Sequence, residues 1–278
     1  MSYRTILVHV DSSPRAAARI RYACQLAEAN EAHLTGLFVA SPVFSGGLGP
    51  FPAPPETYAA QYLALERDAA AAKAGFERLT QAYRPRVEWR QQLGPCVDAF
   101  NLHARYHDLL LLGQRDAAAP VDGVPDDFVA SVVMGCGRPA LVLPYAGDFT
   151  GPSRHILVAW NGSREATRAV TDALPLLREA DRVTVLTISP QVGDHAHGEL
   201  PGADIGLYLT RHGVHVEVAR DVAFSRDVGE VLLSAAADRA ADAIVMGLYG
   251  HSRLRELMMG GASRTLLGAM TIPVFMSH

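Results

Sequence analysis

Four glycines and a serine in the last quarter of the chain have the types and spacing of an anion cradle. Gly247 and Gly250 follow the apolar run from Ala243 to Met246, and Gly260 and Gly261 come after nine intervening residues, just ahead of Ser263. Ala262 to Leu267 then reads as the opening of a helix. A helix start carries unpaired N–H groups and the positive end of the peptide dipole, so it favours an anion. Glycines there remove Cβ atoms and permit positive φ, which lets phosphate oxygens reach the backbone. Ser263 would add a hydroxyl donor, and His251, Arg253 and Arg264 bring polar or positive groups nearby. The same glycines suit a tight turn with no ligand.

Rival chemistries have weaker signals. Ser252 in GHSRL resembles a nucleophile elbow, but Leu254 replaces its second glycine, and a solvated loop serine is the expectation. His195 and His197, near Asp194 and Glu199, have no second ligand pair, so a metal site is not expected there. Lys73 is the only lysine and sits in an alanine run, which rules out a Gly-Lys-Ser/Thr phosphate loop. The net charge of −4 argues against nucleic acid as a partner. No apolar run reaches the roughly 18–20 residues that span a bilayer, and the start shows no h-region, so a cytoplasmic protein is expected. Cys24, Cys96 and Cys136 are scattered, as buried thiols are in a reducing compartment.

The elements that must position the glycines occur twice. RTILVHVDSSPRAAARI from Arg4 aligns with RHILVAWNGSREATRAV from Arg154, so Ile6 matches Ile156, Asp11 matches Asn161 and Ser13 matches Ser163. Further on, Asp108 matches Asp242, Gly113 matches Gly247 and Pro139 matches Pro273. Two tandem domains are expected, residues 1–147 and 153–278, joined by the linker Tyr145 to Ser153. Short, continuous, β-branched runs alternate with helical stretches, which predicts α/β domains: two tandem doubly wound units, each an open five-stranded parallel sheet flanked by helices. Such sheets bind ligands at the carboxyl ends of their strands, where the strand order reverses. Ser41 to Glu56 is too rich in Gly and Pro for regular structure and reads as a solvated connection or a lid. In the second copy, the stretch from Ser189 to Gly206 leaves room for about two turns of helix.

The pattern G-x2-G-x9-G behind a fourth strand, together with the opening ILVHVDSS, resembles the universal stress protein family in its tandem form. The resemblance covers nearly the whole chain and implies a Rossmann-like, ATP-binding domain, with or without Mg. In that family an acidic residue after the first strand meets the nucleoside, and the glycines and a following Ser or Thr hold the phosphates. It also implies pairing through last strands, here as an internal pseudo-dimer, with homodimerisation as a further option. The implied role is stress response as a sensor or partner-binding module, not an enzyme. Carried over, the nucleotide-binding set is Ala159, Trp160, Asn161, Met246, Gly247, Gly250, Gly260, Gly261, Ala262 and Ser263. Two positions depart from the pattern. Gly261 stands where a hydroxyl residue is usual, and Asn161 replaces the acid.

The first copy departs in the opposite sense. It keeps Asp11, but Asp116 stands opposite Gly250, and Asp126 and Asp127 stand opposite Gly260 and Gly261. Carboxylates there would cap their own helix and repel a triphosphate, so this phosphate site is expected to be lost, with Asp11 joining a composite site as the minor alternative. Arg15, Arg19 and Arg21 read as a solvated face, and Trp160 as a core or rim aromatic before an adenine-stacking one. The Asn161-Gly162-Ser163 triplet reads as a turn. Two other classes compete with nucleotide sensing: a nucleotide-free interaction module, and a weak nucleotide hydrolase with no dedicated base.

Overall fold

The computed structural model describes residues 2–41, 55–83, 86–189, 202–223, 226–248 and 261–278. Five strands fall in each repeat, as the periodicity predicts. The first has β1 (Thr5–His9), α1 (Ala16–Ala29), β2 (His33–Ala40), α2 (Pro55–Thr80), β3 (Arg86–Leu93), α3 (Cys96–Ala104), β4 (Leu109–Gly113), α4 (Phe128–Cys136) and β5 (Ala140–Leu143). The second has β6 (His155–Ala159), α5 (Arg164–Glu179), β7 (Arg182–Ser189), α6 (Ala203–Arg211), β8 (Val216–Val222), α7 (Val228–Asp238), β9 (Ala243–Gly247), α8 (Ala262–Ala269) and β10 (Val274–Ser277). The Gly/Pro-rich connection from residue 42 to 54 lies outside the described residues.

Contacts divide the chain into two compact units, one built on Tyr3–Cys136 and the other on Gly137–Gly147 with Gly151–His278. In the first unit β3, β2, β1 and β4 lie side by side and parallel. In the second, β10, β9, β6, β7 and β8 form the same parallel order, and β5 adds to β10 antiparallel, with Phe275 opposite Leu141. By its contacts, the last strand of the first repeat therefore groups with the second unit. The strand order reverses between β1 and β4 in one unit and between β6 and β9 in the other, so each has a crevice at those carboxyl ends.

The reason for this layering is visible in the strand residues. Leu109 to Leu112 are all fully buried, as are Ile6 to Val8 and Ile156 to Val158 to within about 1%. A strand buried on both faces must be central and covered by helices. β3 and β8 instead carry mostly exposed or half-buried positions, which suits the outer edge of a sheet. All three cysteines are buried thiols, none of them in a disulfide. Burial pushes the Cys24 and Cys96 thiols up to about 12, so neither is a ready nucleophile.

Candidate nucleotide-binding site

In the second unit the register Val158↔Val245 continues to the strand ends, so Ala159, Trp160 and Asn161 emerge beside Met246 and Gly247. Met246 is buried in the sheet, Trp160 is half-buried and Asn161 is exposed. The Asn161 carboxamide oxygen accepts the Ser163 N–H at 3.1 Å, and Gly162 between them has φ of 69°. The turn expected of the triplet is thus an Asx turn. Ser163 then caps α5, its hydroxyl accepting the Ala166 N–H at 3.1 Å.

Behind β9 the chain is pinned to the sheet. The Leu248 N–H donates to the Ser277 carbonyl at 2.8 Å, and His278 Nδ1 meets the Leu248 carbonyl at 2.9 Å. Gly250, His251, Ser252, Arg253 and Gly260 lie outside the described residues, as do His195 and His197. The chain re-enters at Gly261, in extended backbone with φ −59° and ψ 156°, and this N-cap glycine brings no side chain of its own to cap α8. Ala262 and Ser263 form its first turn, and Ser263 is buried. The start of α8 abuts the start of α7: a Cβ on Gly229 would stand 2.8 Å from Thr265 Cβ and 2.9 Å from the Ala262 carbonyl oxygen.

Of the two helices that flank the β6–β9 crevice, α5 has the Ala166 N–H satisfied by the Ser163 hydroxyl, and Gly261 at the start of α8 has no side chain to serve in that way. The donor set at α8, namely backbone N–H groups led in by a glycine, fits a phosphate. Gly247 has a different task. A Cβ there would lie 2.5 Å from the Glu165 carbonyl carbon and 2.6 Å from the Ala166 nitrogen. It is glycine because the first turn of α5 rests on it. Glu165, which sequence reasoning passed over, is 8% exposed, and its carboxylate lies 3.4 Å from Arg164 Nε. The available signal was the glycine itself, since a residue without Cβ at a strand end allows backbone to close on it.

The first unit's counterpart is built from charges. Arg19 does not belong to a solvated face: it is 3% exposed, whereas Arg15 and Arg21 are exposed. It is drawn in because its Nη2 donates to Asp11 Oδ2 at 2.7 Å and its Nε to the His9 carbonyl at 2.7 Å. Ser13 donates twice to the other Asp11 oxygen, from its N–H at 3.0 Å and its hydroxyl at 2.5 Å. Burial alone would raise the Asp11 carboxyl, but Arg19, His9 and the Ser13 donors outweigh it and hold the group at about 2. His9, enclosed by Phe100 and Phe128, is lowered to about 4, chiefly by burial, and is neutral. Farther along, the acids opposite the glycines are tied locally. Asp126 pairs with Arg115 at 2.7 Å, Asp116 accepts the Ala118 N–H, and Asp127 accepts from the Ser131 hydroxyl rather than from a helix N–H.

Among the described residues no cluster of His, Cys, Asp and Glu could hold a metal ion, and no helix is long and apolar enough to cross a membrane. No protein of curated function matches the chain. Among solved structures, a universal stress protein from Archaeoglobus fulgidus DSM 4304 is 15% identical with TM-score 0.71, the match covering 98% of this chain and 95% of that one. A putative universal stress protein from Pseudomonas aeruginosa UCBPP-PA14 is 14% identical with TM-score 0.60, covering 99% and 93%. At such identity these likenesses concern the fold alone. The sequence profile of the universal stress protein family matches twice, over residues 2–135 and again over 152–278. The chain therefore belongs to the universal stress protein family, as a tandem of two of its domains.

Proposed function

We propose that the chain binds one adenine nucleotide, ATP with or without Mg, through its second repeat. The observation that carries this reading is that α8 starts, behind Gly261, next to β9, whose carboxyl end lies beside that of β6 where the strand order reverses. Phosphate oxygens would accept from the N–H groups of that first turn, with Gly250 and Gly260 letting them approach. Asn161 spends its oxygen on Ser163, which leaves its amide hydrogens for a ribose hydroxyl. Trp160 offers a ring face at the rim. On this reading the protein is a stress-linked sensor or partner-binding module of the cytoplasm rather than a catalyst. Its repeats pair as an internal pseudo-dimer through β5 and β10, and a homodimer is a further form.

The packing of Gly247 on α5 favours one alternative, a nucleotide-free interaction module whose glycines serve only the fold. Calorimetric titration of the full chain with ATP, ADP and AMP, with and without Mg, separates the two. The nucleotide reading expects about one ATP per chain and its loss in Gly260→Asp. No heat from folded protein with any of the three overturns it. Phosphate release above a buffer blank would mark a hydrolase instead.

A further inference from the structure

The two crevices are counterparts, and they differ in what fills them. Where the second repeat has Ala159, Asn161 and Ala169, the first has His9, Asp11 and Arg19. In the second, the first turn of α5 closes directly on Gly247. In the first, the three atoms nearest a Cβ on the matching Gly113 all belong to the Arg19 guanidinium, and Nη1 would stand only 2.0 Å from it. A buried cation is retained only when its donors meet well-placed acceptors. Here one edge of the guanidinium takes the Asp11 carboxylate and the His9 carbonyl, while Nη1 lies over a glycine that has no Cβ. Both Asp11 oxygens are thereby committed within the chain, Oδ2 to Arg19 and Oδ1 to Ser13.

We infer that Arg19 is the resident ligand of the first repeat: a guanidinium supplied by α1 that fills the polar pocket at the ends of β1 and β4 and closes it to any external nucleotide. The proposed nucleotide site of the second repeat enters only in naming what is excluded. The same geometry counts against a composite site that borrows Asp11, because each of its oxygens already accepts from within the chain. The planar fork of arginine matters as much as its charge, since a lysine reaching Asp11 would leave the His9 carbonyl unpaired.

The test is chemical rescue in the full-length protein. Arg19→Ala is expected to lower Tm by about 10 °C, and methylguanidinium at tens of millimolar to restore most of it, since a two-partner buried cation is lost and then resupplied. The rescue should vanish in the Arg19→Ala, Asp11→Asn double variant, and ammonium should not substitute. If Arg19→Ala does not fold alone, recovery of its circular dichroism during refolding with methylguanidinium becomes the readout. Failure of methylguanidinium to restore either Tm or fold, or equal rescue of the double variant, overturns the inference. None of these readouts uses nucleotide, so their failure is separate from failure of the second site. Where ATP does bind the wild-type chain, Asp11→Asn should leave stoichiometry and affinity unchanged, and a fall in either would also overturn it.

Discussion

Gly247 carries the first turn of α5 on its bare face, with 2.5 Å between an added Cβ and the Glu165 carbonyl carbon. Backbone cannot yield as a flexible side-chain end can. Gly247→Ala should therefore destabilise the chain by about 1–3 kcal/mol, the usual cost of overpacking. Urea midpoints at unchanged m-value would measure it. An unchanged midpoint would mean that α5 does not rest there.

Trp160 and Trp89 are the two tryptophans, and only Trp160 adjoins the proposed nucleotide site. Adding ATP should quench or shift the fluorescence of the wild type and of Trp89→Phe, and leave Trp160→Phe unaffected. A response that survives in Trp160→Phe would place the nucleotide elsewhere. The readout is sensitive because an aromatic face stacked on a base changes its surroundings entirely, whereas a distant one does not.

Ser163 fixes the entry of α5, and through it the contact with Gly247. Removing its hydroxyl in Ser163→Ala frees the Ala166 N–H and should cost about 1 kcal/mol. Asp227→Ala tests the same physics on α7, where the carboxylate accepts from Gly229 at 2.8 Å and Glu230 at 3.3 Å. Both losses are read from chemical denaturation, and neither variant should change the fold by circular dichroism.

The sheet was legible from the sequence because continuous buried runs such as Leu109 to Leu112 admit few alternatives to a covered parallel strand. The duplication was legible because Ile6 and Ile156, or Asp108 and Asp242, hold matched turns and strand ends. Asp108 accepts from the N–H groups of Arg4 and Thr5, and Asp242 from those of Arg154 and His155. Less of the site could be read. Arg19 looked like a surface arginine because one sequence shows charge but not the acceptors waiting at Asp11 and the His9 carbonyl. Gly247 looked like a phosphate glycine because a missing Cβ serves a ligand and a neighbouring helix equally well. Glu165 follows an exposed Arg164, and the local sequence does not show that the first turn of α5 closes on β9.

Acid stability separates the buried charges of the first unit. His9 is neutral in the folded chain, held at about 4 by burial against an unfolded value of 6.5, with Arg19 adding to that lowering and Asp11 and the Val39 backbone opposing it. Below pH 6.5 the unfolded chain takes up a proton that the folded one refuses, so stability falls as pH drops from 6.5 to 4. The shift corresponds to about 3 kcal/mol across that window. Asp11 continues the loss: its folded value of about 2 lies below the unfolded 3.8, so its contribution is present above 3.8 and disappears toward pH 2. His9→Phe keeps the backbone carbonyl that Arg19 uses and packs naturally between Phe100 and Phe128, and it removes the first titration alone. The variant should therefore lose less stability than wild type between pH 7 and pH 4.5. His103 and His107 are also lowered, with burial the leading cause, so some slope remains. Urea midpoints at the two pH values decide it. A wild-type slope no steeper than that of His9→Phe would mean that His9 takes up its proton as readily in the folded chain as in the unfolded one.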